Sequence, residues 1–276
     1  MTKDDFFVLD NFSLMRLSTR MKLSFASKYM YHTATVKGGF SIRPVLFCGE
    51  ISACQEKRLC ALGYTVRRLP PFSRLDKPVR CHPDMLIAPL PSGKLLLSRA
   101  YYEEHPAFFA PFLDKLVLSE DSPQKRYPED VLFNALPVGE TLFGGNTVSQ
   151  ELRCHYPHFV PIRQGYTHCA AASVGRGIIT ADRSLYTALT EHGVDALLIT
   201  PGAITLSPYD TGFIGGASLA LSERLTVFFG RLNDHPDYQP MLAFAKRQNA
   251  TLLSLSDEPL TDCGGGYLLY HDQTPL

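Results

Sequence analysis

The sequence predicts an α/β chain of about five ββαβ units arranged as a propeller and closed by pairing of its amino- and carboxyl-terminal segments. Three observations predict it. Short apolar hairpins recur roughly every 40 to 50 residues, a spacing that marks a repeat architecture. A helical stretch and a returning strand follow the hairpins, and each chain end supplies only part of a unit. Closing such an array on itself removes exposed sheet edges, which a linear stack would have to cap.

The hairpins start at Asp84-Met-Leu-Ile-Ala, Asp130-Val-Leu-Phe-Asn, His168-Cys-Ala-Ala-Ala, Asp210-Thr-Gly-Phe-Ile and Asp262-Cys-Gly-Gly-Gly. In the first, apolar residues 84–90 lead into the turn Pro91-Ser92-Gly93 and return along residues 94–97, as a tight β-hairpin requires. Between hairpins, residues 100–113, 147–156, 183–192 and 238–248 have helical spacing, and strands return at 115–118, 159–162, 196–199 and 251–255. Gly193 and Asn249 are read as the stops of the last two helices. At the amino-terminal end, strand 45–48, helix 53–62, Gly63 and strand 64–67 lack an inner hairpin, whereas residues 264–270 form a strand without a helix. The two ends together make one unit. Residues 1–40 are expected to be an amino-terminal extension and 41–276 a single domain.

Lys plus Arg and Asp plus Glu both number 27, so no net field draws the chain to nucleic acid or to an anionic membrane. Those partners are not expected. The first forty residues have no unbroken apolar stretch long enough for a secretory signal or a membrane span. Seven cysteines scattered through apolar segments suit a reducing compartment better than a disulfide framework, which predicts a cytoplasmic protein. No Cys-x-x-Cys or His-x-x-x-His spacing accompanies Cys81-His82, Cys154-His155 or His168-Cys169, so neither a metal nor another cofactor is expected. His82-Pro83-Asp84 and His235-Pro236-Asp237 read as turn punctuation.

If equivalent strands surround one axis, their first residues form a ring at one end. Asp84, Asp130, Asp210 and Asp262 would meet there with His168, and Asn134 and Tyr209 lie close to them in sequence. Converging carboxylates raise one another's pKa unless a cation sits among them, so the ring predicts a small cationic ligand, with Tyr209 as a stacking face. The competing reading is that each aspartate braces its own turn by accepting backbone N–H bonds. Two thiols, Cys263 and Cys169, stand beside ring members. Neighbours along a strand point to opposite faces, so His168 pairs better with Cys263 than with Cys169. Both cysteines are equally readable as small buried hydrophobes.

The unit pattern over residues 41–276, the Asp262-Cys-Gly-Gly-Gly-Tyr-Leu-Leu end and the Thr167-His168 strand start resemble the pentein fold, also called the guanidino-group-modifying or α/β-propeller fold. With Gly212-Phe-Ile-Gly-Gly and Thr180-Ala-Asp182, the chain is also similar to an uncharacterised, mainly Firmicutes family of that fold. The resemblance implies a thiolate nucleophile, a proton-shuttling His and carboxylates that hold a guanidinium. This chain departs from it. Tyr267 stands where the family's nucleophilic cysteine belongs, Ala170 follows His168 where an acid belongs, and Phe133-Asn134 replaces an Arg-Asp pair. Two readings follow: a small-molecule-binding protein without the family's amidine hydrolysis, or a divergent hydrolase or amidinotransferase-like enzyme using His168 with Cys263 or Cys169.

Overall fold

Residues 44–269 are described by the computed structural model, and their strands form five separate three-stranded sheets. In the first, β1 (Val45–Cys48) lies between β2 (Thr65–Arg68), parallel to it, and β15 (Gly266–Leu269), antiparallel to it. Val45 opposes Leu269 and Cys48 opposes Gly266, so the two ends of the described chain finish one sheet together, as the sequence predicts. The other four sheets repeat one pattern, an antiparallel hairpin with a third strand added in parallel to its second arm. They are β3 (Ile87–Pro89), β4 (Leu95–Ser98) and β5 (Leu116–Ser119); β6 (Ala135–Val138), β7 (Thr141–Gly144) and β8 (His158–Pro161); β9 (Ala171–Val174), β10 (Gly177–Thr180) and β11 (Ala196–Leu198); and β12 (Ser218–Ser222), β13 (Leu225–Phe228) and β14 (Thr251–Ser254). The chain is thus a mixed α/β protein of small sheets. The predicted amino-terminal extension lies outside the described residues.

Local chemistry explains the helices that match expectation. Helix α1 (Ala53–Ala61) begins with a capping box: Gln55 N–H donates to Ser52 Oγ while Ser52 N–H donates to Gln55 Oε1 at 2.8 Å, which satisfies two donors that a helix start leaves open. The first connecting helix does not run unbroken through 100–113. Pro106 and Pro111 lack the N–H a helix interior needs, and the segment breaks into three short pieces: Arg99–Glu104, Pro106–Phe109 and a 3-10 turn over Ala110–Lys115. The expected helix over 147–156 shrinks to Gln150–Arg153. The helix at Arg183–Glu191 is capped by Asp182, whose Oδ1 accepts from Leu185 N–H at 2.8 Å, and it buries Leu185 and Leu189. The helix at Tyr238–Arg247 buries Met241, Phe244 and Ala245. Asn249 follows it at a φ of 54°, the left-handed stop expected of it.

Apolar clusters fill the space between successive sheets and helices. The largest joins Phe47 of β1, Leu97 of β4, the rings of Phe72, Tyr101 and Phe109, and Tyr267 of β15. Strand β12 neighbours both β9 and β15, and its approach depends on glycine. A Cβ on Gly215 would stand 2.5 Å from the carbonyl oxygens of His168, Cys169 and Ala171, a separation no side chain tolerates.

One expectation needs correcting. The titratable residues do not open the strands: Asp84 lies in the short helix Pro83–Leu86, Asp130 in a 3-10 turn over Glu129–Val131, and His168 and Asp262 in loops ahead of β9 and β15. Asp210 sits on an exposed stretch well before β12. Asp and His favour such turns because their side chains bond nearby backbone, so the residues cluster by loop packing rather than by strand register.

Candidate functional site

Three loops from different sheets meet around Asp84. Cys169 Sγ donates to Asp84 Oδ2 at 2.8 Å, and Asn134 Nδ2 reaches both Cys169 Sγ at 2.9 Å and the Asp84 carbonyl at 3.1 Å. Asn134 Oδ1 in turn accepts the N–H groups of His168 at 2.8 Å and Cys169 at 3.2 Å. All four polar positions of one amide are therefore used to tie the loop before β9 to the helix before β3. Asp84 Oδ1 is buried without a partner. Burial first, and then the charge of Asp262, push the Asp84 carboxyl well above the usual range, to about 8.

Asp262 belongs to the same neighbourhood but has a different task. Its Oδ2 accepts from Phe213 N–H at 2.9 Å and its Oδ1 from Gly264 N–H at 3.0 Å, the turn-bracing role that sequence reasoning set against ligand binding. A Cβ on Gly216 would stand 2.0 Å from Asp262 Oδ1, so only glycine admits this carboxylate. His82 Nδ1 lies 3.7 Å from the same oxygen, and burial lowers the His82 pKa despite the nearby Asp262. Sequence reasoning missed His82. Its one signal was the His82-Pro83-Asp84 tripeptide, which reads as punctuation until the fold brings residue 262 beside it.

Asp130 and Tyr209 lie farther out. Tyr166 Oη donates to Asp130 Oδ2 at 2.7 Å, while Asp130 Oδ1 is buried and unpartnered. Burial raises the Asp130 pKa, and the Tyr166 bond opposes that rise. The Tyr166 ring stacks on Phe213 with centroids 5.7 Å apart and meets Tyr127 at 5.9 Å. Tyr209 is exposed, bonds Asp76 Oδ2 at 3.4 Å, and feels the charge of Asp130. Asp210 is exposed beside it and takes no part in the buried group. Tyr166, another residue sequence reasoning missed, carried no signal beyond its place two residues before His168. Among the described residues no lysine or arginine forms an ion pair with Asp84, Asp130 or Asp262.

The thiols and the imidazole are separated in chemistry and in neighbours. Cys169 is pushed well above the usual thiol range by burial and by Asp84. Cys263 packs with Leu46, Cys48 and Leu219, bonds the Thr261 carbonyl at 3.8 Å, and is pushed by burial and Asp262 to about 12. His168 instead stands against Tyr267, with ring centroids 5.3 Å apart, and burial lowers it to about 4. At neutral pH both thiols are protonated and the imidazole is uncharged, so no thiolate–imidazolium couple forms here. Among the described residues no three His, Cys, Asp or Glu side chains converge on a metal position, and no helix is long and apolar enough to cross a membrane.

A cavity of about 280 Å³ is walled by residues of β9, β12 and β15 and of the β3–β4 hairpin. His168 and Tyr267 are on its wall, whereas Asp84, Asp130 and Asp262 are not. Among the described residues, the only charged side chain lining it is Lys94.

No curated protein matches the chain. Among solved structures it is similar to a dimethylarginine dimethylaminohydrolase adduct with S-methyl-L-thiocitrulline, at 9% identity and a TM-score of 0.49 over 78% of this chain and 93% of that one. A mutant of the enzyme from Pseudomonas aeruginosa complexed with citrulline gives 9% identity and a TM-score of 0.48 over the same shares. The sequence of the present chain matches a family model over residues 47–266, a span that runs from β1 into β15 and includes Asp84, Asp130, Asn134, His168, Cys169 and Asp262, and the chain therefore belongs to the family of unknown function DUF6873.

Proposed function

We propose that the protein binds a small cationic molecule, a guanidino or amino compound, at the buried carboxylates of Asp84 and Asp262 with Asp130 farther out, on a pentein-like scaffold whose five sheets surround a common axis. The observation that carries this reading is a pair of buried carboxylate oxygens, Asp84 Oδ1 and Asp130 Oδ1, without hydrogen-bond partners. A buried acceptor left unmade costs about 1–3 kcal/mol, and a guanidinium or ammonium would supply donors and oppose the burial and the Asp262 charge that together raise Asp84. Tyr127, Tyr166 and Tyr209 add ring faces that attract a cation. Pairing of β15 with β1 supports one domain over residues 41–276, and seven unpaired cysteines support a reducing, cytoplasmic setting.

Amidine hydrolysis is not part of the proposal, because neither Cys169 nor Cys263 is poised as a thiolate and His168 is neutral. A ligand that binds only the folded state raises stability by about 2.7 kcal/mol at a hundred times its Kd. Arginine, agmatine and polyamines should therefore raise the thermal midpoint, and Asp130→Asn should remove the effect. Neutral sugars or inorganic phosphate stabilising better than every cation would overturn the reading.

A further inference from the structure

The cavity near Lys94 has a chemistry opposite to that of the aspartate group. Its wall is mostly apolar, with Leu95 and Leu219 among the contributors, and its charge among the described residues is a single exposed lysine at the β3–β4 turn. Farther along, Ser173, His168 and Tyr267 supply hydroxyl and imidazole groups. Tyr267 Oη and His168 Nδ1 are buried and have no hydrogen-bond partner. A site with one cation, apolar walls and neutral polar groups selects a ligand with one negative charge and an apolar body, since an unpaired positive charge on the ligand would meet no counter-ion.

We infer that this cavity is a second binding site, for a small carboxylic acid whose carboxylate sits on Lys94, whose apolar body lies along Leu95 and Leu219, and whose far end meets His168 and Tyr267. Size sets the scale. A cavity of about 150 Å³ holds benzene, so one of about 280 Å³ takes a body of roughly ten non-hydrogen atoms by the same measure. A six-carbon acid fits. None of Asp84, Asp130 and Asp262 lines it, so variants at those aspartates test the cation reading separately.

The test is calorimetric titration of the full chain with hexanoate, hexylamine and hexanol at low salt. Hexanoate should bind more tightly than either, and Lys94→Gln should weaken hexanoate by about tenfold, the size expected when one charge-assisted hydrogen bond is lost. Lys94→Arg should retain binding. Asp130→Asn should leave hexanoate binding unchanged while abolishing any stabilisation by agmatine, which keeps failure of one site distinct from failure of the other. Lys94 is exposed at a turn, so its variants keep the fold. Hexylamine or hexanol binding as tightly as hexanoate, no hexanoate binding at all, or a Lys94→Gln variant that binds hexanoate like the parent would each overturn the inference.

Discussion

Cys169 Sγ stands 2.8 Å from Asp84 Oδ2, with both residues buried. A thiol in this position is a hydrogen-bond donor to a carboxyl group, and burial first, then the charge of Asp84 once ionised, makes loss of the thiol proton harder. Asn134 completes the arrangement by touching both partners. A motif that in sequence suggests a nucleophile beside a histidine becomes a proton-holding network under Asp262.

Asp84 should make stability fall as pH rises. Its folded-state pKa of about 8 exceeds the unfolded value near 4, so the folded state holds the proton more tightly. Its contribution is whole below about pH 4 and is lost as pH climbs toward about 8. Asp84→Asn should remove that loss, gaining on the parent by a few kcal/mol between pH 5 and pH 8, given about 1.4 kcal/mol per pKa unit. Denaturant unfolding of both proteins at several pH values checks it; parallel stability curves would refute the assignment.

His168 has the opposite sign. Burial lowers its pKa to about 4, below the usual value of 6.5, so its contribution is complete above pH 6.5 and is lost as pH falls toward 4. Histidine-ring NMR should show His168 titrating on acidification well below the usual value, near 4. A midpoint for His168 near 6.5 would show a solvated ring.

Thiol labelling should follow exposure. Cys54 and Cys154 are exposed, whereas Cys169 and Cys263 are buried with raised pKa values. In the native protein at neutral pH the exposed pair should react first, with the buried pair slower by on the order of a hundredfold, because only the thiolate attacks. Mass mapping of partially alkylated protein measures the order. Fast reaction at Cys263, slowed by His168→Ala, would restore a catalytic thiol.

Asn134→Ala should cost at least about 3 kcal/mol. It strands the His168 and Cys169 N–H groups together with the Asp84 carbonyl, and each buried group left unsatisfied costs about 1–3 kcal/mol. Asn134→Asp, which keeps both acceptor contacts but adds charge beside Asp84, should not rescue it. Urea unfolding of the three proteins is the measurement.

Removing the residues after Asp262 should destabilise the first sheet as well as the carboxyl end. Truncation takes away β15, leaves β1 as an edge strand, and exposes Phe47, whose cluster includes Tyr267 and Leu269. Circular dichroism should show the whole fold lost in one shifted transition. A near-normal midpoint would mean that the two ends are not coupled.

What the sequence determined by itself was local and periodic. Two short apolar runs and the turn at Pro91-Ser92-Gly93 set the hairpin in which Ile87 opposes Leu97, while Gly63, Gly193 and Asn249 stop helices at positive φ. Incomplete ends implied the pairing of β15 with β1. Such features depend on backbone preference and on the faces of a single element, both readable from nearby residues. The membership of the site was decided by tertiary structure. His82 meets Asp262 across most of the chain, Asn134 links loops from two sheets, and Asp210, alike in sequence, stays on the surface. Loop length and the close approaches allowed at Gly215 and Gly216 set those distances, and no local pattern encodes where a loop places a side chain once it leaves its strand.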